Sequence, residues 1–550
     1  MEESRKIKRA ARSPNVSQNR YVCIRSAAES LNVRNSGYSE GGASTTRRAF
    51  KGMTATSGSP ETDILLNIQL LRERSRLMYQ NAPPATSAIK TYCTNVIGTG
   101  LKPKPTIDAA VLGMTEEQAR EFERKILAEF RLWASDPKSC DALGMNTFDE
   151  QQNLAMNAWA QSGDAFTLIQ REKRTRMRPY SLRLRLIEAD RVRVPAQNSM
   201  TFSVEGMADN GNRIFDGVEV NARGAVEAYY IASGYPHEYS PQPMTYKRVE
   251  AYGARTGLPN ILPLMVAERP DQYRGVPLLS NVVEELLQLR RYTEGELAAA
   301  VIQSFWTAFI TTETDPTEMP FNEAIPEDEP GGGVSNDENE YELGPGTVNH
   351  LKLGEKVIFG QPTHPQAGFD VFQGAISEQI GAALGMSRDL LLKKFGESYS
   401  ASRAELLEAW KTFATVREWF INDFCRPIYK IWFYEAVATG RITAPGFFDD
   451  PIIQAAYLGC DWIGPSAGQI NPVDEIKASI LAINAGLSTH EIEAARLNGS
   501  DFATNIQKLK TENERLREAG ASLNVRDIMD VQSSMTGEEA QTEKEANGDE

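Results

Sequence analysis

No window of the chain offers the eighteen or more uncharged apolar residues of a membrane-spanning helix. The best candidate, ELAAAVIQSFWTAFI (296–310), is short, carries Gln303 and follows Arg290, Arg291 and Glu294. Cysteine is scarce. Five residues, Cys23, Cys93, Cys140, Cys425 and Cys460, are odd in number, widely spaced and without a CxxC pair, which argues against a disulfide frame or a zinc site and for reduced thiols in a cytosol. The four histidines, His237, His350, His364 and His490, lie far apart, which weakens any metal site. The opening MEESRKIKRA has basic residues but no apolar h-region, so no secretory signal is expected there. No Walker A pattern occurs, so no ATPase is visible.

What is present is enough for globular folding: 41% hydrophobic and 24% charged residues in 550, a length that suggests three or more structural regions. The net charge of −15 argues against wholesale adhesion to nucleic acid. It is unevenly placed. Residues 1–51 hold eleven Lys and Arg against four Glu, a net of +7, and the tail from Asp527 holds eight acids against Lys544, a net of −7. Both ends are expected to be disordered. A third biased stretch, residues 311–342, has eleven acids and no Lys or Arg, with Glu327, Asp328, Glu329, Asp337 and Glu338 at its centre. It lacks the fixed D-x-D-x-D-G spacing of a calcium loop and reads as an anionic, loop-rich insert.

Periodicity organises the rest. DILLNIQLLRERSRLMYQ spaces apolar residues helically until NAPP stops it, and a second helix covers about 85–96. TEEQ (Thr115, Gln118) and TFDE (Thr147, Glu150) are capping boxes that start a third and a fourth helix. The pattern then turns to period two. SLRLRLIEADRVRV sets Leu182, Leu184 and Leu186 against Arg183 and Arg185, which predicts a strand with its leucines inside and its arginines outside. IFDGVEVNARGAVEAYYIAS predicts two strands around NARG, and two further strands complete a small, mainly antiparallel sheet. Residues 61–270 therefore read as an α+β body. After ERPDQYRGVPLL (268–279), Ser280 is expected to cap a helix reaching about Ile310, roughly 45 Å long. Short strands and a helix over 369–385 follow, then a loop, MSRDLLLKKFGESYSA, and a long helix from Ser402 to Ala438. Its apolar face carries Leu406, Trp410, Phe413, Phe420, Phe424 and Ile431, and Pro427 should kink it. Residues 472–520 read as helical, with Ile506, Leu509, Asn513 and Leu516 at heptad spacing that suits helix-on-helix contact between subunits.

Enzyme motifs fall short. GPSAG (464–468) matches the nucleophile elbow at Ser466, with His490 downstream, but the elbow needs a helix directly after the serine and Pro472 follows too soon. GTG (98–100) lacks a third glycine, and HEIEA lacks the second histidine of a zinc helix. The chain does not read as an enzyme, and no cofactor or metal is expected.

The order of body, long helix, acidic insert, helix, loop, kinked helix and helical end resembles the portal proteins of tailed bacteriophages, specifically the lambda-like portal family. The resemblance runs from about residue 62 to 520 and rests on RSRLMYQNAPPATSAIKTYCTNVIGTGLKPKP, CDALGMNTFDEQQ, IFDGVEV, ERPDQYRGVPLL, SYSASRAELLEAW and DWIGPSAGQINPVDEIKASILAINAGLSTHE. The chain departs from the family pattern at Pro263, where His is frequent, at Asp271, where Gly is common, and at INPVDE, where IDPxKE is usual.

The resemblance implies a ring of about twelve subunits with wing, stem, clip and crown parts. It implies a disordered basic arm (1–60), a wing body (61–275), a first stem helix (276–310), the acidic clip (311–367), a second stem helix (368–385) and a tunnel loop (386–400). The long kinked helix and a return to the wing (401–471), a helical crown (472–520) and an acidic tail (521–550) follow. The implied partners are other copies of the chain, double-stranded DNA in the channel, the terminase large subunit, the major capsid protein and scaffold, and head–tail connector proteins; no membrane is involved. The expected location is the capsid portal vertex of a virion, after synthesis in the host bacterial cytoplasm. Arg388, Lys393 and Lys394 would face DNA. Arg269, Arg274 and Gly275 would shape the wing–stem junction, the two arginines pairing with a neighbouring subunit. A head-completion protein that does not conduct DNA, and a hydrolase using Ser466, are the competing possibilities.

Overall fold

The computed structural model describes residues 48–53, 57–195, 205–236, 238, 243–304, 308–312, 355–359, 368–394, 399–467 and 472–519. A 3-10 turn, Arg48–Phe50, belongs to a first unit that ends at Ser57; everything below concerns the second, from Gly58 onward.

Helices α1 (Pro60–Asn81) and α2 (Pro83–Val96) open it. The Ser59 hydroxyl accepts from the Thr62 N–H while Thr62 accepts the Ser59 N–H, and Pro60 fills a first position that needs no backbone donor. Pro83 does the same for α2, so NAPP both stops one helix and starts the next. Strand β1 (Lys102–Pro105) and helices α3 (Ala109–Leu112), α4 (Glu116–Ala134), α5 (Pro137–Cys140) and α6 (Phe148–Ser162) follow. Both expected capping boxes form, Thr115 with Gln118 and Thr147 with Glu150.

Two antiparallel sheets come next. The first orders β3 (Leu182–Glu188), β2 (Asp164–Arg171) and β9 (Ile261–Met265). The second is a meander of β4 (Glu205–Met207), β5 (Arg213–Phe215), β6 (Val218–Val220), β7 (Val226–Ala232) and β8 (Tyr246–Glu250). IFDGVEV, expected as part of one strand, is itself a hairpin. Asp216 and Gly217 both take positive φ, the geometry a two-residue turn needs to match strand twist.

The three-stranded sheet is a middle layer. Its helix-facing side joins a core built around Phe130, Trp133, Phe148, Leu184, Tyr429 and Trp432. Its other side meets the five-stranded sheet through Phe166, Ile187, Phe215, Val218 and Tyr229. Strand β2 is buried without alternation from Asp164 to Leu168 as a result. The same layering corrects the expectation for β3. Arg183 is buried, not outward, and its guanidinium donates to the carbonyls of Ser139, Tyr180 and Leu182.

The helix expected to reach Ile310 is α7 (Val283–Ser304), after a 3-10 turn over Ser280–Val282. Ala308–Thr312 is instead strand β10, paired antiparallel with β11 (Glu355–Phe359). A β-branched and aromatic AFITT sequence suits a strand. Helix α8 (Phe369–Ala383) returns beside α7, running antiparallel. Tyr292 in the middle of α7 stacks on Phe369 at the start of α8, while Leu286 and Leu289 join the core with Ile380 and Leu384.

Part of the expected loop is helix α9 (Arg388–Leu392), capped by Ser387. The long helix is α10 (Tyr399–Phe420), a π-turn over Ile421–Cys425 and α11 (Arg426–Ala438). Pro427 explains the π-turn, because a proline ring clashes with the carbonyl four residues back and one wide turn relieves it. Helix α12 (Pro451–Leu458) leads to β12 (Cys460–Ile463), which pairs with β1 and closes the body. Helices α13 (Pro472–Asn484), α14 (His490–Asn498) and α15 (Phe502–Glu518) end the described chain.

Candidate functional site

Segment 268–279 is where the sheets hand over to α7; its Glu268, Arg269 and Asp271 are exposed, while Arg274 is buried. Arg274 is 1% exposed. Its Nε donates to Asp164 Oδ2 at 2.6 Å, its Nη1 to Asp216 Oδ2 at 2.6 Å and Val192 O at 2.7 Å, and its Nη2 to Asp164 Oδ1 at 3.1 Å and Ala189 O at 2.9 Å. Arg72 of α1 reaches the same pair, Asp164 at 3.3 Å and Asp216 at 3.1 Å, and donates its Nε to Ser162 O at 3.1 Å. Two guanidiniums thus meet two carboxylates, with the leftover donors on backbone carbonyls. Only a planar fork fits so many acceptors, so lysine could not replace either arginine. Burial alone would raise the Asp164 carboxyl, but Arg274 and Arg72 outweigh it and hold the group below the usual carboxylate range. The lock ties α1, β2, the β5–β6 turn and the entry to α7 into one joint.

Glycines close it. A Cβ on Gly275 would sit 1.9 Å from Gly163 O, and one on Gly163, where φ is +86°, would sit 2.4 Å from Gly275 O. The two backbones touch, and neither residue can be anything larger. Upstream, the Gln272 side chain accepts the N–H groups of Glu268 and Arg269 and donates to Arg274 O at 2.9 Å. Asp271 adopts φ +61°, a left-handed conformation that glycine would take without strain. Arg269 pairs with Asp63 and donates to Gly58 O at 2.9 Å. Arg274 is sealed inside its own chain, which corrects the expectation that it serves a neighbouring subunit, whereas the Arg269 side chain stays 44% exposed.

The second group lies past α8. Arg388 bonds Glu378 at 2.9 Å and Asp389 at 3.4 Å, so its charge is shared. Lys393 and Lys394 are exposed, form no ion pair with any described residue, and follow buried Leu391; Lys393 ends α9 at φ +54°. The ends of α8 and α9 are both anchored to α2, since Tyr92 Oη donates to Leu384 O at 2.7 Å and Ser87 Oγ to Leu391 O at 2.6 Å. Two bare ammonium groups thus stand at the foot of the α7–α8 hairpin. Glu327, Asp328, Glu329, Asp337 and Glu338 lie outside the described residues.

Ser466 sits in an irregular stretch after β12, residues 464–467, and His490 opens α14 with its ring stacked on Phe502, 5.0 Å between centroids. Among the described residues no group of three or more His, Cys, Asp or Glu could hold a metal ion, and no helix is long and apolar enough to cross a membrane. The residues missed from sequence are Arg72, Asp164 and Asp216. The one available signal was an Asp beside Gly163 at the head of the strand DAFTLIQR, whose next residues, Ala165 and Phe166, are apolar.

A family model described as phage portal protein, lambda family, matches residues 46–417. Portal protein B of Escherichia phage lambda is 25% identical over 84% of this chain and 87% of its own length. The portal protein of Escherichia phage N15 is 24% identical over 86% and 89%. Among solved structures, a chain from the neck of a native gene transfer agent particle is 12% identical over 78% of this chain and 94% of its own, with a TM-score of 0.39, too low for the overlay to bear on function.

Proposed function

The chain belongs to the lambda family of phage portal proteins, and from that membership we propose that its copies close into a ring of about twelve at one capsid vertex. A terminase motor drives double-stranded DNA in through the axial channel, and the same channel releases it toward the tail through connector proteins. The major capsid protein and scaffold meet the outer surface. The observation that carries this reading is the family match over 46–417 together with portal relatives spanning most of the chain. In this reading α7 and α8 are the stem, the acidic stretch 311–367 is the clip that meets motor and connector, 386–400 is the tunnel loop and 472–520 is the crown.

Physics supports the assignment of charge. A channel lined by many cations would bind phosphates tightly and stall translocation, whereas a net −15 per copy with a few bare ammonium groups allows brief contacts only. Lys393 and Lys394 are those groups; Arg388, already paired, orients the loop. Imaging by negative stain with native mass should show rings with an open axial channel, and a stable closed oligomer without a channel would overturn the proposal. Changing Lys393 and Lys394 together to Glu should leave rings intact and lower the yield of DNA-filled heads. Normal filled heads from that double variant would remove the tunnel assignment and leave the ring.

A further inference from the structure

The C-terminal helices are built with their polar side inward. Between residues 472 and 518 no apolar side chain is buried; the two buried residues are Ser479 and Glu493. Glu493 accepts from Ser479 Oγ and Ser488 Oγ at 2.7 Å each and from Arg496 Nη2 at 2.7 Å, and Arg496 also donates to Ser479 Oγ at 2.9 Å. The contact of α13 with α14 is thus a hydrogen-bonded network around one carboxylate. Lys104 on β1 links these helices to the body, paired with Glu491 and with Asp501 at 3.3 Å.

The apolar side chains point away. On α13, Val473, Ile476 and Ile480 recur at i, i+3 and i+7, one face of a helix, and are 44, 46 and 49% exposed. Helix α15 buries nothing along its 17 residues, with Ile506 and Leu509 48 and 50% exposed on the stripe that continues to Leu516. Isolated helices of this length are marginal in water, and most helical stability comes from covering an amphipathic face. An apolar surface of this kind marks an interaction site.

Which partner fits follows from there being two faces on one chain. A ring needs a heterologous contact, one surface of a copy on a different surface of the next. Charge favours the same arrangement. With the inward Glu493–Arg496 pair set aside, helices α13 and α14 carry Asp474, Glu475 and Glu491 against Lys477, a net of −2. Helix α15 carries Lys508, Lys510, Arg515 and Arg517 against Glu512, Glu514 and Glu518, a net of +1. Unlike faces attract here, while two copies of the α13–α14 face repel.

We propose that the α15 stripe of one copy docks on the outer face of α13 in the next copy, so that the C-terminal helices form a continuous belt around the ring. The proposal rests on the ring reading above and assigns it an interface.

The test uses full-length chains in assembled rings. Ile480→Cys and Ile506→Cys variants carrying different affinity tags are co-produced and treated with a short bis-maleimide, with wild-type chains reporting the background from native thiols. A product carrying both tags, absent when either cysteine is omitted, is expected, and the double variant should give a ladder of multiples. Rings that cross-link only like with like, or not above background, overturn the proposal while leaving the ring intact. Failure of the wild-type chain to form rings would instead count against the ring. Independently, changing Ile506 and Leu509 together to Glu should remove most ring species without changing the thermal unfolding of the body; undiminished rings overturn the proposal.

Discussion

The body from Gly58 to Ile463 and the helical end from Pro472 to Glu518 follow opposite rules. In the body, aromatic rings meet inside, as where Phe130 and Trp432 pack edge to face at 5.0 Å, and even the charges are sealed, as at Arg274 and Asp164. In the helical end the sealed residues are a serine and a glutamate, and the isoleucines face out. The body completes its own core; the end leaves its apolar surface for something else to cover. In the belt proposed above, that outward surface is what the next copy covers.

The strongest way to break the comparison is to unseal the body. Arg274→Ala leaves Asp164 and Asp216 with Arg72 alone in a dry site, and removing one partner of a buried pair costs about 3–5 kcal/mol. Urea unfolding followed by tryptophan fluorescence should show that loss; a change below about 1 kcal/mol would mean that water reaches the lock. Gly275→Ala should cost about 3 kcal/mol or more, because its new methyl meets a backbone carbonyl that has no rotamer to escape to. Neither change should alter hydrogen exchange in 472–518 before the body itself opens.

Acid sharpens the contrast next. Hydrogen bonds from Arg248 first, with Asn210 and Asn212, outweigh burial and hold Glu219 down to about 2, and Asp164 is likewise depressed. A carboxylate depressed by folding contributes stability that is present above its unfolded value of about 4 and is lost as pH falls through the folded one. The body should therefore lose thermal stability between about pH 4 and pH 2. Glu219→Gln should flatten that limb while lowering stability at neutral pH; an unchanged slope would show that Glu219 does not drive it.

What the sequence shows of these rules depends on range. The capping boxes at Thr115 and Thr147 were legible because all their atoms lie within four residues. The apolar face of α10 and α11 was legible because helical periodicity survives an inserted π-turn. Arg183 was misassigned because period-two alternation says which side chains share a face, not whether the second face is also covered. The lock at Arg274 was out of reach: its partner Asp164 lies 110 residues away, and no local pattern announces it. The helical end was half legible, since heptad spacing marked Ile506 and Leu509, while the polar interior around Glu493 needed coordinates.

A smaller effect belongs to that interior. Glu493→Ala removes the acceptor shared by Ser479, Ser488 and Arg496, leaving three donors that can turn to water on a half-open surface. The cost should be about 1–2 kcal/mol and local. Faster hydrogen exchange confined to 472–518, with the body's melting unchanged, is the expected result. Global unfolding would show that the two regions share one cooperative unit and would erase the distinction drawn between them.

The smallest effect is at Asp271, a non-glycine residue held in the left-handed region. Its φ of +61° costs a side chain about 1 kcal/mol, less for aspartate than for most residues. Asp271→Gly removes that strain but gives the unfolded chain extra freedom worth about 0.4–1 kcal/mol. The two terms nearly cancel, so the melting temperature should move by no more than a degree or two in either direction. A larger loss would mean that the Asp271 carboxylate, exposed beside the joint, holds something the backbone does not, and the lock would then extend to the surface through it.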